Sequence, residues 1–319
     1  MQMMMGLWVA QIAGTAARLG VADAIAGGTT TREALARACE ADPDALYRFL
    51  RAAATAGLFV ETEPGTFALT PVGECLRTDT PGSVRDFLIA ETAPGHWLPW
   101  GRLYDAVKSG VSPASEALGI DVWDYYKQNP EEGLSFARGM GNLSALVAVD
   151  VARIYDPSPY KRIIDVGGSQ GVLLRALLAK APDARGVLYD LPEVVANAPA
   201  HERVEILSGD FFTGVPANGD LYVIKSILHD WPDDRCETIL HNIHGAAATD
   251  ATILVVETIL APAPQPSPAT FMDMNMLVML GGRERTAEEY GALLQRCGFA
   301  MQRVIPTGGM FGLIEAKRV

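Results

Sequence analysis

Arg162-Ile163-Ile164-Asp165-Val166-Gly167-Gly168-Ser169-Gln170-Gly171 decides the architecture: a short apolar run turns directly into glycines, and a leucine-rich segment follows from Val172. Glycines at such a turn let a ligand approach the backbone, and the start of the next helix adds partial positive charge. A dinucleotide site needs G-x-G-x-x-G, but Leu174 holds the place of the last glycine, so a pyrophosphate loop fits poorly.

Four further apolar runs lie downstream: Gly186 to Tyr189, Val204 to Leu207, Leu221 to Ile224 and Thr252 to Val256. Unbroken apolar strands separated by helical text predict a parallel sheet covered on both faces. Met301 to Pro306 and Phe311 to Ala316 face each other across Gly308-Gly309 and predict an added antiparallel pair. Ligands of such sheets bind beyond the carboxyl ends of the strands. Gly167, Asp190, Asp210, His229 and Glu257 all fall there, one for each successive strand. Asp190 stands about twenty residues after the glycines, where a carboxylate accepts from ribose hydroxyls. Asp210 and Phe211 stand where an adenine ring would lie. Taken singly, each Asp reads more simply as a loop cap.

Upstream the text is different. Apolar positions recur at helical spacing from Leu7 to Ala26, and Gly27-Gly28 stops them. Thr30 to Glu33 reads as a capping box for a short helix through Ala38, and Asp42-Pro43 opens another with Leu46, Phe49, Leu50 and Ala53 on one face. Leu58 to Glu61 and Phe67 to Thr70, joined by Pro64-Gly65, predict a hairpin, which completes a winged-helix order. Only Arg48 and Arg51 would face DNA, beside Asp42 and Asp44, so a dimerisation or lid domain is the better reading. Residues from Val84 to Ile154 are helical and aromatic; Trp97, Phe136 and Met140 are candidates for lining a flat ligand. The division expected is 1–85, 86–158 and 159–319.

The 319 residues, 49% hydrophobic, carry a net charge of -12, which repels nucleic acid and anionic lipid. The cysteines Cys39, Cys75, Cys236 and Cys297 form no C-x-x-C pair, so no disulfide framework or zinc cluster is expected and a reducing cytoplasm fits. The apolar start Met1 to Ala17 lacks a basic flank and contains Gln2, Gly6, Gln11, Gly14 and Thr15; a helix buried against another subunit explains it better than a signal or anchor.

DVGGSQG (165–171), YDLP (189–192), GDFF (209–212), KSILHDWPDD (225–234), ILVVETIL (253–260) and GGRERT (281–286) together resemble the plant-type, caffeic-acid-like O-methyltransferase family, including its bacterial natural-product branch. The resemblance implies a Rossmann-like, doubly wound α/β domain for S-adenosylmethionine (SAM), an N-terminal winged-helix-like dimerisation domain and a homodimer. It implies that Gly167, Asp190, Asp210, Phe211, Lys225 and Ser226 hold the cofactor, whose product is S-adenosylhomocysteine. It places His229 as the catalytic base, with Glu257 and Glu284 as flanking carboxylates, Glu284 standing between Arg283 and Arg285 as a surface ion pair also would. The acceptor is expected to be a small aromatic or polyketide-type molecule, met by Trp97, Phe136, Met140, Asp230, Met272, Asn275 and Met276. No metal is needed, because the sulfonium is already a good leaving group. Ser169 departs from a third glycine common in the family, and the chain begins abruptly at its first long helix, which would thin the dimer contacts.

Three other readings compete. Some bacterial relatives use bound SAM to assist hydroxylation or decarboxylation, against which the retained His229 argues. A winged-helix regulator with a ligand sensor and a nicotinamide oxidoreductase rank lower. His241 and His244 share a helix face but lack a third ligand, so a solvated face is expected.

Overall fold

The computed structural model describes residues 2–78 and 80–319; Met1, where the apolar start begins, and Asp79 lie outside them. The chain forms two compact units: Met1–Gly101 with Ser115–Leu143, and Arg102–Ala114 with Ser144–Val319.

In the first unit, the helical pattern read as one stretch breaks at Gly20, whose left-handed φ of 66° separates helices Gln2–Leu19 and Val21–Ala26. The expected capping box at Thr30 does not form. Helix Arg32–Ala38 starts later, with Thr31 at its N-cap and no side-chain cap bond, so Glu33 is one position too early and pairs with Arg32 instead. Helix Pro43–Thr55 starts as expected, with the Asp42 carboxylate accepting from the Ala45 N–H at 2.8 Å. Strands β1 (Phe59–Glu63) and β2 (Thr66–Leu69) form the hairpin, its Gly65 at positive φ. Leu35, Leu46, Leu50, Phe59 and Phe67 make the core of this bundle. Met3, Met4, Leu7 and Trp8 on the first helix stay exposed within the chain.

The second unit is built on one sheet: β3 (Arg162–Val166), β4 (Arg185–Asp190), β5 (Val204–Ser208), β6 (Leu221–Lys225) and β7 (Thr252–Leu260) are parallel, in the order β5-β4-β3-β6-β7. The short β8 (Arg285–Thr286) pairs with β7, and β9 (Phe299–Pro306) and β10 (Phe311–Arg318) extend the sheet antiparallel. Ile163, Ile164, Val223, Ile224 and Ile253 to Val256 are fully buried, which is why these strands read as unbroken apolar text. β7 does not stop at Glu257 as expected but runs on to Leu260, because Thr258 pairs with Phe311 of β10 and Ile259 and Leu260 pair with β8. No helix of the described residues is long and apolar enough to cross a membrane.

Candidate active site

The carboxyl ends of β3 to β7 form the rim on which the candidate residues stand. After β3 the chain makes a tight loop in which Gly167, Ser169 and Gly171 all have positive φ. Ser169 therefore occupies a left-handed position that glycine fills at no cost, at 53°. A Cβ on Gly168 would lie 2.6 Å from the Asp165 Cγ, so only glycine lets the loop settle on that side chain. Asp165 is 2% exposed, and its Oδ2 has no partner among the described residues. Burial pushes its carboxyl up to about 7, against the pull of Lys225. In the sequence Asp165 stands out only as a lone acid in an apolar strand, a signal that assigns it no role.

Asp190 ends β4. Its Oδ2 accepts from the Ser169 N–H and its Oδ1 from the Leu191 N–H, both at 2.8 Å, which fixes the carboxylate beside the loop and leaves each oxygen a second lone pair. Asp210 is exposed after β5, with Oδ1 capping the Phe212 N–H, and Phe211 packs edge-on to Phe212. Lys225 closes β6 with its ammonium 3.4 Å from the Ser226 hydroxyl, and burial lowers its pKa despite Asp165 and Glu257.

His229 lies on a single 3-10 turn, Leu228–Asp230, and is 8% exposed. Its Nδ1 is 2.9 Å from Glu284 Oε1 and 3.6 Å from Glu257 Oε2, and its Nε2 is 3.4 Å from Asp230 Oδ1. Glu257 is thus the farther carboxylate; its Oε1 accepts from the Ile227 and Leu228 N–H groups and so holds the turn. Glu284 is not a surface ion pair: it is 1% exposed, while Arg283 pairs with Glu289 and Arg285 with Asp233. Burial disfavours a charged imidazole, but Glu257, Asp230 and Glu284 outweigh it and raise the His229 pKa to about 10. Burial raises the Asp230 carboxyl to about 7, with His229 opposing.

The sequence reading overlooked Arg285 as well. Its guanidinium, 1% exposed, donates to the carbonyls of Leu228 and Trp231 at 2.9 and 3.0 Å and to Asp233, clasping both ends of the histidine turn. Arg283 N–H donates to the His229 carbonyl, and a Cβ on Gly282 would lie 2.0 Å from that oxygen, so the GGRERT segment lies flush on the turn. Asp273, on helix Ala269–Met279, accepts from the Glu284 N–H at 2.9 Å. Met272 and Asn275 on that helix are half-buried and Met276 is buried. Trp97, Phe136 and Met140 belong to the first unit and are half-buried; Phe136 stacks on Tyr126 at 5.0 Å, and Trp97 lines a cavity.

His229 Nδ1 and oxygens of Glu257 and Glu284 lie within 4.8 Å of one another, a spacing that a cation also uses. Nδ1 is engaged with Glu284 and one Glu257 oxygen with two backbone N–H groups, while Glu257 Oε2 and Glu284 Oε2 have no hydrogen-bond partner among the described residues. His244 meets the Val319 carbonyl at 3.2 Å and His241 is exposed.

The O-methyltransferase domain profile matches residues 100–300, and the O-methyltransferase dimerisation domain profile matches residues 1–79. A phenazine O-methyltransferase of Lysobacter antibioticus is 37% identical, over 100% of this chain and 95% of its own length. A phenazine-1-carboxylate N-methyltransferase of Pseudomonas aeruginosa is 32% identical over 99% of this chain and 96% of its own. The crystal structure of human N-acetylserotonin methyltransferase with SAM superposes with a TM-score of 0.91 at 28% identity, covering 98% of this chain and 95% of that one.

Proposed function

Because the chain belongs to the SAM-dependent O-methyltransferase family and carries that family's dimerisation domain, we propose that it methylates a hydroxyl of a small aromatic natural product, with His229 as the general base. The rim of the sheet fits SAM on two counts. Asp190 ends β4 and Asp210 follows the adjacent β5, and a partnerless buried oxygen of Asp165 lies under the glycine loop. Gly167, Asp190, Asp210, Phe211, Lys225 and Ser226 would hold it. When bound, SAM supplies a methyl group on a sulfonium, whose sulfur departs as a neutral thioether.

The observation that carries the reading is the buried imidazole held by Glu284 through Nδ1. A neutral His229 donating Nδ1–H to Glu284 has one free lone pair, on Nε2. That nitrogen would take the hydroxyl proton of the acceptor, leaving its oxygen a lone pair to offer to the methyl group that bound SAM supplies. Asp230, 3.4 Å from Nε2, faces the charge that arrives there. A phenol ionises near ~10, so a base raised to about 10 receives its proton almost without a thermodynamic step. In the second unit Met272, Asn275 and Met276 on the Ala269–Met279 helix are the side chains proposed to meet the acceptor; in the first, Trp97, Phe136 and Met140 are the ones proposed to line a flat ligand. The exposed apolar side chains Met3, Met4 and Trp8 of the first helix are proposed to pack on a second copy of the chain.

The test is incubation with SAM and a panel of phenols, wild type against His229→Ala. The variant is expected to bind SAM normally and to lose about 10²- to 10⁴-fold in turnover. Unchanged turnover would remove His229 as the base.

A further inference from the structure

The first unit contains a cavity of about 400 Å³ whose walls are chemically lopsided. Leu88 and Glu91 come from one helix, Arg85–Thr92, and Trp97 and Trp100 from the next, Pro94–Trp100; each pair is spaced three apart and so shares a helix face. Leu7 of the first helix closes another side. Two indoles and two leucines make an apolar slot, and Glu91 is its one ionisable wall among the described residues.

Glu91 is not isolated. Its Oε1 lies 3.4 Å from Nε2 of His96, which is 3% exposed, and the His96 Nδ1 lies 2.9 Å from the Tyr126 hydroxyl. Phe136 stacks against both rings, at 5.7 and 5.0 Å. Glu132 holds the start of the second helix by accepting from the Gly95 N–H at 3.0 Å. Burial keeps His96 down at about 4, so its ring is neutral: Nδ1 accepts from Tyr126 while Nε2–H points at Glu91. A network that served packing alone would end on a protein partner. This one ends on a carboxylate that is 27% accessible and faces a cavity.

We propose that this cavity is a ligand site for a planar aromatic molecule bearing a hydrogen-bond donor, a ring N–H, amino or hydroxyl group, set against Glu91 between Trp97 and Trp100. Burial pushes the Glu91 carboxyl up to about 7; above that pH it is ionised and only accepts, and His96 engages one of its oxygens, so the group missing from the site is a donor. The volume suits two or three fused rings. Identification of this molecule with the methyl acceptor rests on the function proposed above; occupancy of the cavity does not.

Calorimetric titration of the intact protein with an aminophenazine and with unsubstituted phenazine tests the site. Wild type binds the aminophenazine about tenfold more tightly. Glu91→Leu abolishes that preference while leaving phenazine affinity within about threefold, and Trp97→Ala weakens both probes alike. Unchanged SAM affinity and near-ultraviolet circular dichroism establish that each variant is folded. Equal binding of the two probes by wild type, or a preference that survives Glu91→Leu, overturns the proposal. Loss of turnover in His229→Ala is scored separately, so either reading falls without the other.

Discussion

His229 and His96 are both buried and both within 3.4 Å of a carboxylate oxygen, yet their pKa values move in opposite directions, to about 10 and to about 4. Burial lowers both. His229 has three acids around its ring, Glu257, Asp230 and Glu284, and their combined field reverses the sign. His96 has Glu91 at the edge of hydrogen-bonding distance and a phenol on its other nitrogen, and Glu91 is itself pushed up to about 7 by burial, so little negative charge remains to oppose desolvation. The lesson is that burial does not make a histidine a base or a spectator; the number of ionised neighbours it retains does.

The comparison breaks most visibly at Glu284. Glu284→Gln keeps an oxygen that can accept from Nδ1 but removes the charge, so His229 must become less basic. Turnover is expected to fall about 10²-fold, less than the ~10⁴-fold loss on neutralising the single orienting carboxylate of a serine-protease triad, because Glu257 and Asp230 remain beside the ring. The sign of the pH effect follows. His229 must be neutral to act, and its raised pKa delays that form, so wild-type kcat/KM climbs as pH rises well beyond 6.5. In Glu284→Gln the same limb moves to lower pH by about one to three units. A pH–rate profile that loses height without moving would show that Glu284 only packs.

A smaller effect is expected at Arg285, which touches the backbone of the histidine turn rather than the ring. Arg285→Lys keeps the charge but not the fork that reaches the Leu228 and Trp231 carbonyls together. Turnover should drop about tenfold, with SAM affinity unchanged, because a turn displaced by a fraction of an ångström misaligns the base. A change in SAM affinity with turnover intact would place the role of Arg285 elsewhere.

Much of this was legible in the sequence, and what was not has a physical reason. The parallel strands could be read because residues such as Ile163, Ile164, Val255 and Val256 are buried on both faces, which leaves no polar alternation to confuse the text. The fate of Glu284 could not be read from its neighbours: the partner of Arg285 is Asp233, 52 positions away, and only the fold frees Glu284 for His229. Capping boxes show the same limit. Thr30 to Glu33 has the pattern, but the Thr30 carbonyl accepts from Phe67 N–H and Thr31 bridges to Thr66, so the hairpin holds the chain extended until Arg32. Thr286 and Glu289 have the same spacing and do form the box, with both reciprocal bonds present.

The last expected effect concerns His96 and is one of stability, not of turnover. Its folded pKa, about 4, lies below the unfolded value near ~6.5, so between these pH values the unfolded chain binds more protons than the folded one. Wild type therefore loses stability relative to His96→Phe as pH falls from about 6.5 to about 4, by on the order of 3 kcal/mol across the window. Phenylalanine keeps the stacking on Phe136 but leaves the Tyr126 hydroxyl without its nitrogen partner, a cost that does not vary with pH in this range. Glu91 titrates in the opposite sense over part of the same window and is present in both proteins, so the difference between their Tm-against-pH curves isolates the histidine. Parallel curves would mean that His96 protonates in the folded chain as readily as in water, and its contrast with His229 would then be one of degree rather than of sign.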